Sequence, residues 1–157
     1  MKKVILGGIV GFLIIFGTTA CLSFTNKKAI SSNDFKTKME DKGFEVIDAM
    51  DQLPETTDIK QVYLAISPGS KYKIEFYEFT SNEAASQFYQ RNKKIFELTK
   101  ENNTKKYEKS KKNYSKYIMN NGNSYRVISK IGKTAMYVDE KDKYKEVINE
   151  TLKDLGY

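Results

Sequence analysis

The sequence predicts an α+β domain: a single antiparallel sheet of about six strands with three helices packed on a face of it, preceded by an N-terminal apolar helix. Runs in which apolar and polar residues alternate are separated by short turn signals, which is typical of hairpins. Three other segments repeat their apolar residues at helical spacing. Because no helical segment interrupts a run of strands, the sheet is expected to be antiparallel.

The first predicted elements are a short helix and a strand. Helix-capping residues begin at Ser31, and Phe35 and Met39 follow at one-turn spacing. Gly43 predicts the end of this helix, because glycine tolerates the left-handed conformation that closes many helices. The apolar residues in the segment 44–47 then predict a strand.

A hairpin is predicted after a loop at residues 48–58. In residues 62–66, large aliphatic side chains alternate with Tyr and Ala, and in residues 72–77, Tyr, Ile and Phe alternate with Lys, Glu and Tyr. The turn-forming segment Ser-Pro-Gly-Ser at 67–70 separates the two segments. These three segments therefore predict two adjacent antiparallel strands.

The second helix is predicted to begin at a capping box in residues 80–83 and to run to about Lys100. Three strands are predicted after it, at residues 114–119, 125–131 and 135–138. The Asn121-Gly122 pair favours a two-residue turn between the first two of these strands. Asp139 is expected to begin the third helix. Its apolar face is formed by Tyr144, Val147, Ile148, Thr151, Leu152 and Leu155.

The composition limits the chemistry. The chain has 157 residues, one Cys and no His, so Ser-His-Asp, Cys-His and His-ligated zinc mechanisms are excluded. An internal disulfide is excluded as well, and no cofactor or metal is expected. We assign residues 1–24 to a signal or anchor segment, residues 25–32 to a tether and residues 33–157 to one extracytoplasmic domain.

The N-terminal segment has the parts of a bacterial export signal. Lys2 and Lys3 precede residues 4–20, which carry no charge, and small residues lead to Cys21. This order places the N-terminus in the cytoplasm and the domain on the outer face of the cytoplasmic membrane.

Around Cys21 the sequence resembles the lipobox of bacterial lipoproteins, in which small residues precede a lipidated cysteine. Ala20 and Cys21 match this pattern, whereas Thr18 stands where the family usually has an aliphatic residue. Three outcomes stay open: lipidation at Cys21, an uncleaved single-span anchor, or cleavage and release. The whole chain resembles the small membrane-anchored lipoproteins of unknown function, which implies a location but no functional residues.

A lysine-rich stretch is the main electrostatic feature. Residues 100–117 hold seven Lys and two Glu, a net charge of +5, within a chain of net charge +7. The favoured interpretation of this stretch is a solvated loop, and the alternative is a weak binding surface whose partner is an anionic lipid or an anionic wall polymer. With Arg91 and Arg126 as the only arginines, specific nucleic-acid binding is not expected. The candidate binding residues are Lys105, Lys106, Lys109, Lys111 and Lys112.

Carboxylates and tyrosines supply further candidates. The acids of the first long loop and Glu75 with Glu78 lack the spacing of a glycosidase pair or a calcium loop. Tyr63, Tyr77 and Tyr137 either line an exposed aromatic binding face or are ordinary sheet residues. The acids of the loop are Asp48, Asp51, Glu55 and Asp58.

The expected function is that of a membrane-tethered, non-catalytic binding module. One alternative is a cell-envelope hydrolase or transferase that uses carboxylates or Lys, and a second is an immunity lipoprotein that protects against a secreted antimicrobial peptide. A converging set of titratable groups would favour the enzyme, whereas a shallow basic or aromatic face would favour the binding module.

Overall fold

The structure, a computed structural model, describes residues 26–53 and 58–157. It has one antiparallel sheet and three helices, which confirms the α+β class. The predicted apolar helix in residues 1–24 and Cys21 lie outside the described residues. The helices are α1 (Ser32–Asp41), α2 (Asn82–Leu98) and α3 (Lys145–Asp154). The strands are β1 (Glu45–Asp48), β2 (Ile59–Ile66), β3 (Lys73–Phe79), β4 (Lys105–Lys111), β5 (Tyr114–Asn120), β6 (Ser124–Ile131) and β7 (Thr134–Lys141).

The seven strands follow the order β1-β2-β3-β7-β6-β5-β4, and every neighbouring pair is antiparallel. Two meanders, one on each side of α2 in the sequence, therefore meet where β3 pairs with β7. This order leaves β1 and β4 as the two edges of the sheet.

Helices cover both faces of the sheet, so the expectation that they pack on one face is wrong. Val127 in β6 belongs to the core that contains α1 and α3 residues, whereas its neighbour Ile128 belongs to the core that contains α2 residues. Both side chains are fully buried. Since successive strand residues point to opposite faces, a central strand that is apolar on both sides needs cover on both sides.

The sheet has seven strands rather than about six, because the lysine-rich stretch forms β4. All seven residues of β4 are exposed, so it has none of the apolar alternation that reveals a strand in a sequence. Backbone pairing with β5 along the whole strand supplies the structure instead. The stretch is therefore a strand and not a loop, although its side chains are exposed to solvent as that interpretation expected. A lysine-rich edge also discourages pairing with a second chain.

Local signals fix most element boundaries. Ser31 accepts a hydrogen bond from the Asp34 backbone N–H at 3.1 Å, and Ser81 caps α2 by accepting from the Ala84 N–H at 3.0 Å. The predicted start of the third helix at Asp139 is wrong. Asp139 pairs with Arg126 in the continuing β6–β7 ladder, so the chain stays extended to Lys141.

The turn between β5 and β6 lies one residue later in the chain than expected. The Asn121 N–H donates to the Ser124 carbonyl at 3.3 Å, so Gly122 and Asn123 are the two central residues. Gly122 has φ +87, and positive φ at the first central position is the form that favours glycine.

Candidate anion-binding site

The two sides of β4 differ because its side chains alternate. Tyr107 pairs with Ile118, which packs on the α1 and α3 core, whereas Glu108 pairs with Tyr117, which is buried against α2. Odd-numbered residues of β4 therefore lie on the α3 side of the sheet and even-numbered residues on the α2 side. The α3 side carries Lys105, Tyr107, Lys109 and Lys111, and the α2 side carries Lys106, Glu108 and Ser110.

On the α3 side, four lysines converge on a cleft of about 260 Å³. None of the eight described residues that line it is acidic. We call it the lysine cleft, and its basic residues are Lys27, Lys109, Lys111 and Lys116. Tyr107, Asn113, Tyr114 and Ile118 complete the lining.

The strand register brings two of these cations directly together. Lys109 of β4 and Lys116 of β5 are cross-strand partners. Like charges at opposed positions destabilise an antiparallel pair, by a few tenths of a kcal/mol or more. This pairing is unfavourable in the free protein and becomes favourable when an anion lies between the two ammonium groups.

Lys27 reaches the lysine cleft from the segment before α1. Its ammonium donates to the Gly156 carbonyl at 2.7 Å and lies 4.2 Å from the centre of the Tyr114 ring. The Asn113 side-chain amide donates to the Lys27 carbonyl at 2.7 Å, which fixes the backbone as well. These contacts fix the position of Lys27 at the lysine cleft although its side chain is exposed.

Electrostatics in the lysine cleft show that the cations lack a counter-charge. Desolvation lowers the pKa of Lys116, and the positive charge of Lys27 lowers it further. Desolvation and the charge of Lys109 lower the pKa of Lys27 in the same way. An anion bound here would remove both penalties, because it offsets the lost hydration and the repulsion.

On the α2 side of β4 the charges are paired. Lys106 forms an ion pair with Glu97 of α2, and Lys93 binds both carboxylate oxygens of Glu108 at 2.6 Å. The Tyr117 hydroxyl also donates to Glu97. Hydrogen bonds from Lys106 and Tyr117 hold the pKa of Glu97 below its usual range. This side of the strand is therefore electrically balanced.

The structure separates the five predicted lysines. Lys109 and Lys111 line the lysine cleft, whereas Lys106 is ion-paired with α2. Lys105 lines a different hollow beside Asp142, and Lys112 lies in the turn between β4 and β5. The prediction did not include Lys27 or Lys116. Lys116 falls inside the lysine-rich stretch, so its charge was a usable signal, but its position opposite Lys109 required the register.

Glu75 and Glu78 do not form the pair that a glycosidase needs. Glu75 accepts from the Tyr77 hydroxyl at 2.6 Å and pairs with Lys73 at 2.9 Å, and Glu78 pairs with Lys60 at 3.4 Å. Three positions apart on one strand, Glu75 and Glu78 point to opposite faces of the sheet. Within residues 26–53 and 58–157, no group of three or more metal-ligating side chains is found. Glu55 lies outside the described residues.

A second cleft, of about 620 Å³, lies between α2 and strands β3 and β7. Tyr77 and Tyr137 line it together with Phe88 of α2, and the Tyr77 and Phe88 rings lie 4.5 Å apart. Tyr63 stacks on Phe35 on the other face of the sheet, so the interpretation of the three tyrosines as one aromatic face is wrong. The acids and bases around this cleft include the Lys73–Glu75 pair and Asp139, which binds Arg126 at 2.8 Å.

Comparison with protein-family models, with curated protein sequences and with solved structures finds no match to this chain. In the part of the chain that the structure describes, no helix is both long enough and apolar enough to cross a bilayer.

Proposed function

We propose that this protein is a membrane-tethered, non-catalytic binding module on the outer face of the cytoplasmic membrane and that its ligand is an anion. The observation that carries the proposal is the lysine cleft, in which four ammonium groups converge without a carboxylate among the lining residues. Unpaired charge of one sign in a concave site attracts and orients ligands of the opposite sign. The export-type N-terminal segment supports the location.

The arrangement favours an anion with more than one negative group. Lys109 and Lys111 are two residues apart on one side of β4, which separates their Cα atoms by roughly 7 Å. Lys116 lies across from Lys109, and Lys27 also lines the cleft. A single small anion contacts only part of this set, whereas a chain of phosphate groups contacts several of the lysines together.

Titration with inorganic polyphosphate tests the site. The full chain is held in micelles of a neutral detergent, and the dissociation constant is measured for the protein and for a triple variant with Lys109, Lys111 and Lys116 replaced by Gln. Each Lys near an anionic surface contributes about 1 kcal/mol, so the expected loss of affinity is on the order of 100-fold. Binding by the unchanged protein is also expected to weaken as salt is added.

The matched control removes the same charge elsewhere. Lys71, Lys94 and Lys153 are exposed and do not line the lysine cleft. Their joint replacement by Gln is expected to change the affinity for polyphosphate less than threefold. Equal losses in the two triple variants would show that only net charge matters, and no binding by the unchanged protein at low salt would exclude the proposal.

The anchor has its own test. If Cys21 is the lipid attachment residue, Cys21→Ala abolishes incorporation of radiolabelled palmitate and leaves unprocessed precursor in the membrane fraction. The intact mass of the native protein identifies the product, because a chain that starts at Cys21 and carries acyl groups has a mass different from that of the full-length chain. Unchanged labelling of Cys21→Ala would exclude this residue as the acceptor.

A further inference from the structure

The lysine cleft lies where the chain leaves its anchor. Lys27 is the second described residue, and it is held there by the Gly156 carbonyl and the Tyr114 ring. Ala29 and Ile30 then pack against the core that contains α1 and α3. The part of the expected tether from Lys27 onward therefore packs against the folded domain. The described chain begins beside the lysine cleft.

The chain outside the structure is too short to carry the cleft far from a bilayer. Only six residue steps separate Cys21 from Lys27, and three separate Phe24 from Lys27. A fully extended chain spans at most about 3.5 Å per residue, so the reach is at most about 20 Å from a lipidated Cys21 and about 10 Å from the end of a membrane span. Either anchor keeps the cleft beside the lipid headgroups.

The side chains around the cleft fit a bilayer surface. Tyr107 is 50% exposed at the edge of the sheet, next to Lys109 on the same side of β4. Tyrosine favours the boundary between headgroups and acyl chains, because its ring is apolar and its hydroxyl is polar. Long lysine side chains reach phosphate groups while their stems remain in apolar contact.

We propose that the lysine cleft binds the phosphate groups of anionic phospholipids in the bilayer that anchors this chain, so that the outer edge of β4 and β5 faces the membrane. This inference rests on the proposed anion-binding function and names its ligand. Tethering raises the local concentration of headgroups to the millimolar range or above, so a weak site is filled. The domain is then held in one orientation, with α2 on the side of the sheet away from the lysine cleft.

A single tryptophan reports the contact, because the natural chain contains none. In one variant, Tyr107→Trp places the reporter at the lysine cleft. In the matched control, Leu98→Trp places it at the end of α2, where Leu98 is 78% exposed. Each full-length variant is reconstituted into vesicles that carry a quencher in the headgroup region, made of phosphatidylcholine alone or mixed with phosphatidylglycerol.

The expected result is strong quenching of Tyr107→Trp in the phosphatidylglycerol vesicles and at least a threefold weaker effect on Leu98→Trp. High salt reduces the quenching, because exposed charge interactions are screened. In the Tyr107→Trp background, replacing Lys109, Lys111 and Lys116 by Gln abolishes the difference between the two vesicle types, whereas replacing Lys71, Lys94 and Lys153 preserves it. Circular dichroism checks that each variant is folded.

Two results overturn the inference. Equal quenching of both reporters, or equal quenching with and without phosphatidylglycerol, would mean that the lysine cleft does not bind anionic headgroups. If polyphosphate still binds the cleft in that case, the anion-binding function stands and a soluble phosphate polymer replaces the lipid as ligand. If polyphosphate does not bind either, both proposals fail.

Discussion

The two sides of β4 carry similar lysines in different electrostatic surroundings. On the α2 side, Lys106 is ion-paired with Glu97, and Glu108 is bound by Lys93. On the α3 side, Lys109 stands opposite Lys116, and none of the described residues that line the lysine cleft supplies a carboxylate. A count of lysines in the sequence treats these residues as equivalent, whereas the strand places one set in ion pairs and leaves the other set without a carboxylate partner.

The difference arises from what covers each side. Helix α2 lies over the even-numbered side of β4 and contributes Lys93 and Glu97 to the ion pairs. On the other side, the segment before α1 adds a further cation, Lys27, to the lining of the lysine cleft. Proteins usually relieve opposed like charges. In the lysine cleft, Lys109, Lys111 and Lys116 form no ion pair with a described residue, and Lys27, held by a backbone carbonyl and an aromatic ring, adds a fourth positive charge. This arrangement favours a ligand that supplies negative charge.

The largest expected effect is the response to alkaline pH. Burial raises the pKa of Tyr125 and of Tyr137 to about 12. The folded state then binds more protons than the unfolded chain between pH 10 and 12. The stability that these two groups contribute is complete below pH 10 and is lost through that window, on the order of 3 kcal/mol in total once solvent screening is allowed for. Chemical denaturation at a series of pH values measures it.

The lysine cleft responds to pH in the opposite sense. The pKa values of Lys27 and Lys116 lie below 10.5, so the folded state binds fewer protons than the unfolded chain just below that pH, and their contribution to stability increases there. These two lysines are therefore expected to lose their charge at a lower pH than ordinary lysines, and polyphosphate binding is expected to weaken as they do so, while the fold is intact. Binding that persists until the protein unfolds would contradict this separation.

Adding a carboxylate to the open side tests the comparison next. Tyr107→Glu places a negative charge among Lys109, Lys111 and Lys116, and the expected affinity for polyphosphate falls about 30-fold, equivalent to about 2 kcal/mol. Relative to Tyr107→Gln, stability is expected to rise by about 0.5 kcal/mol, because the new carboxylate lies diagonally across from Lys116 on the neighbouring strand and opposite charges attract. Tyr107→Gln, measured by the same titrations, separates the charge from the loss of the ring. A fall in stability beyond that of Tyr107→Gln would contradict the account.

Removing carboxylates from the balanced side is the converse experiment. Glu97→Gln combined with Glu108→Gln leaves Lys93 and Lys106 unpaired and is expected to cost about 1 kcal/mol in the free energy of unfolding. The same double variant is expected to bind polyphosphate more tightly, by about threefold, because a second unpaired lysine set appears on β4. An unchanged affinity, measured by titration at low salt, would show that unpaired lysines on this strand do not suffice for binding.

The smallest expected effect compares two single lysines. Lys106→Gln is expected to lower stability by about 0.5 kcal/mol and to leave the affinity for polyphosphate unchanged. Lys116→Gln is expected to leave stability unchanged or slightly raised and to weaken binding about fivefold. Thermal unfolding and titration of both variants make the comparison, and a reversal of the two patterns would refute the assignment of sides.

Sequence patterns predict those parts of the fold in which apolar residues recur at the spacing of a strand or the caps are strong. The alternation in β2, β3 and β6 and the cap at Ser31 belong to this group. The strand β4 was missed because it buries nothing, and its structure comes from backbone pairing that side-chain patterns do not record. The start of α3 was misplaced because the β6–β7 ladder holds Asp139 in an extended conformation.

Only part of the candidate site could be predicted from the sequence, for a similar reason. The lysine-rich stretch contains Lys109, Lys111 and Lys116, and its charge is visible in the sequence. The division of lysines between two sides depends on recognising β4 as a strand. Lys27 joins the site from more than 80 residues away through contacts with Tyr114 and Gly156, which only the folded chain supplies.

The charge state of Lys116 tests the central claim most directly. Nuclear magnetic resonance of the lysine side chains follows its titration in the free protein and in the presence of inorganic polyphosphate. The account predicts a pKa below 10.5 in the free protein, because of desolvation and the charge of Lys27, and a rise when polyphosphate binds. A pKa of 10.5 that polyphosphate does not change would contradict the claim that this side of β4 binds anions.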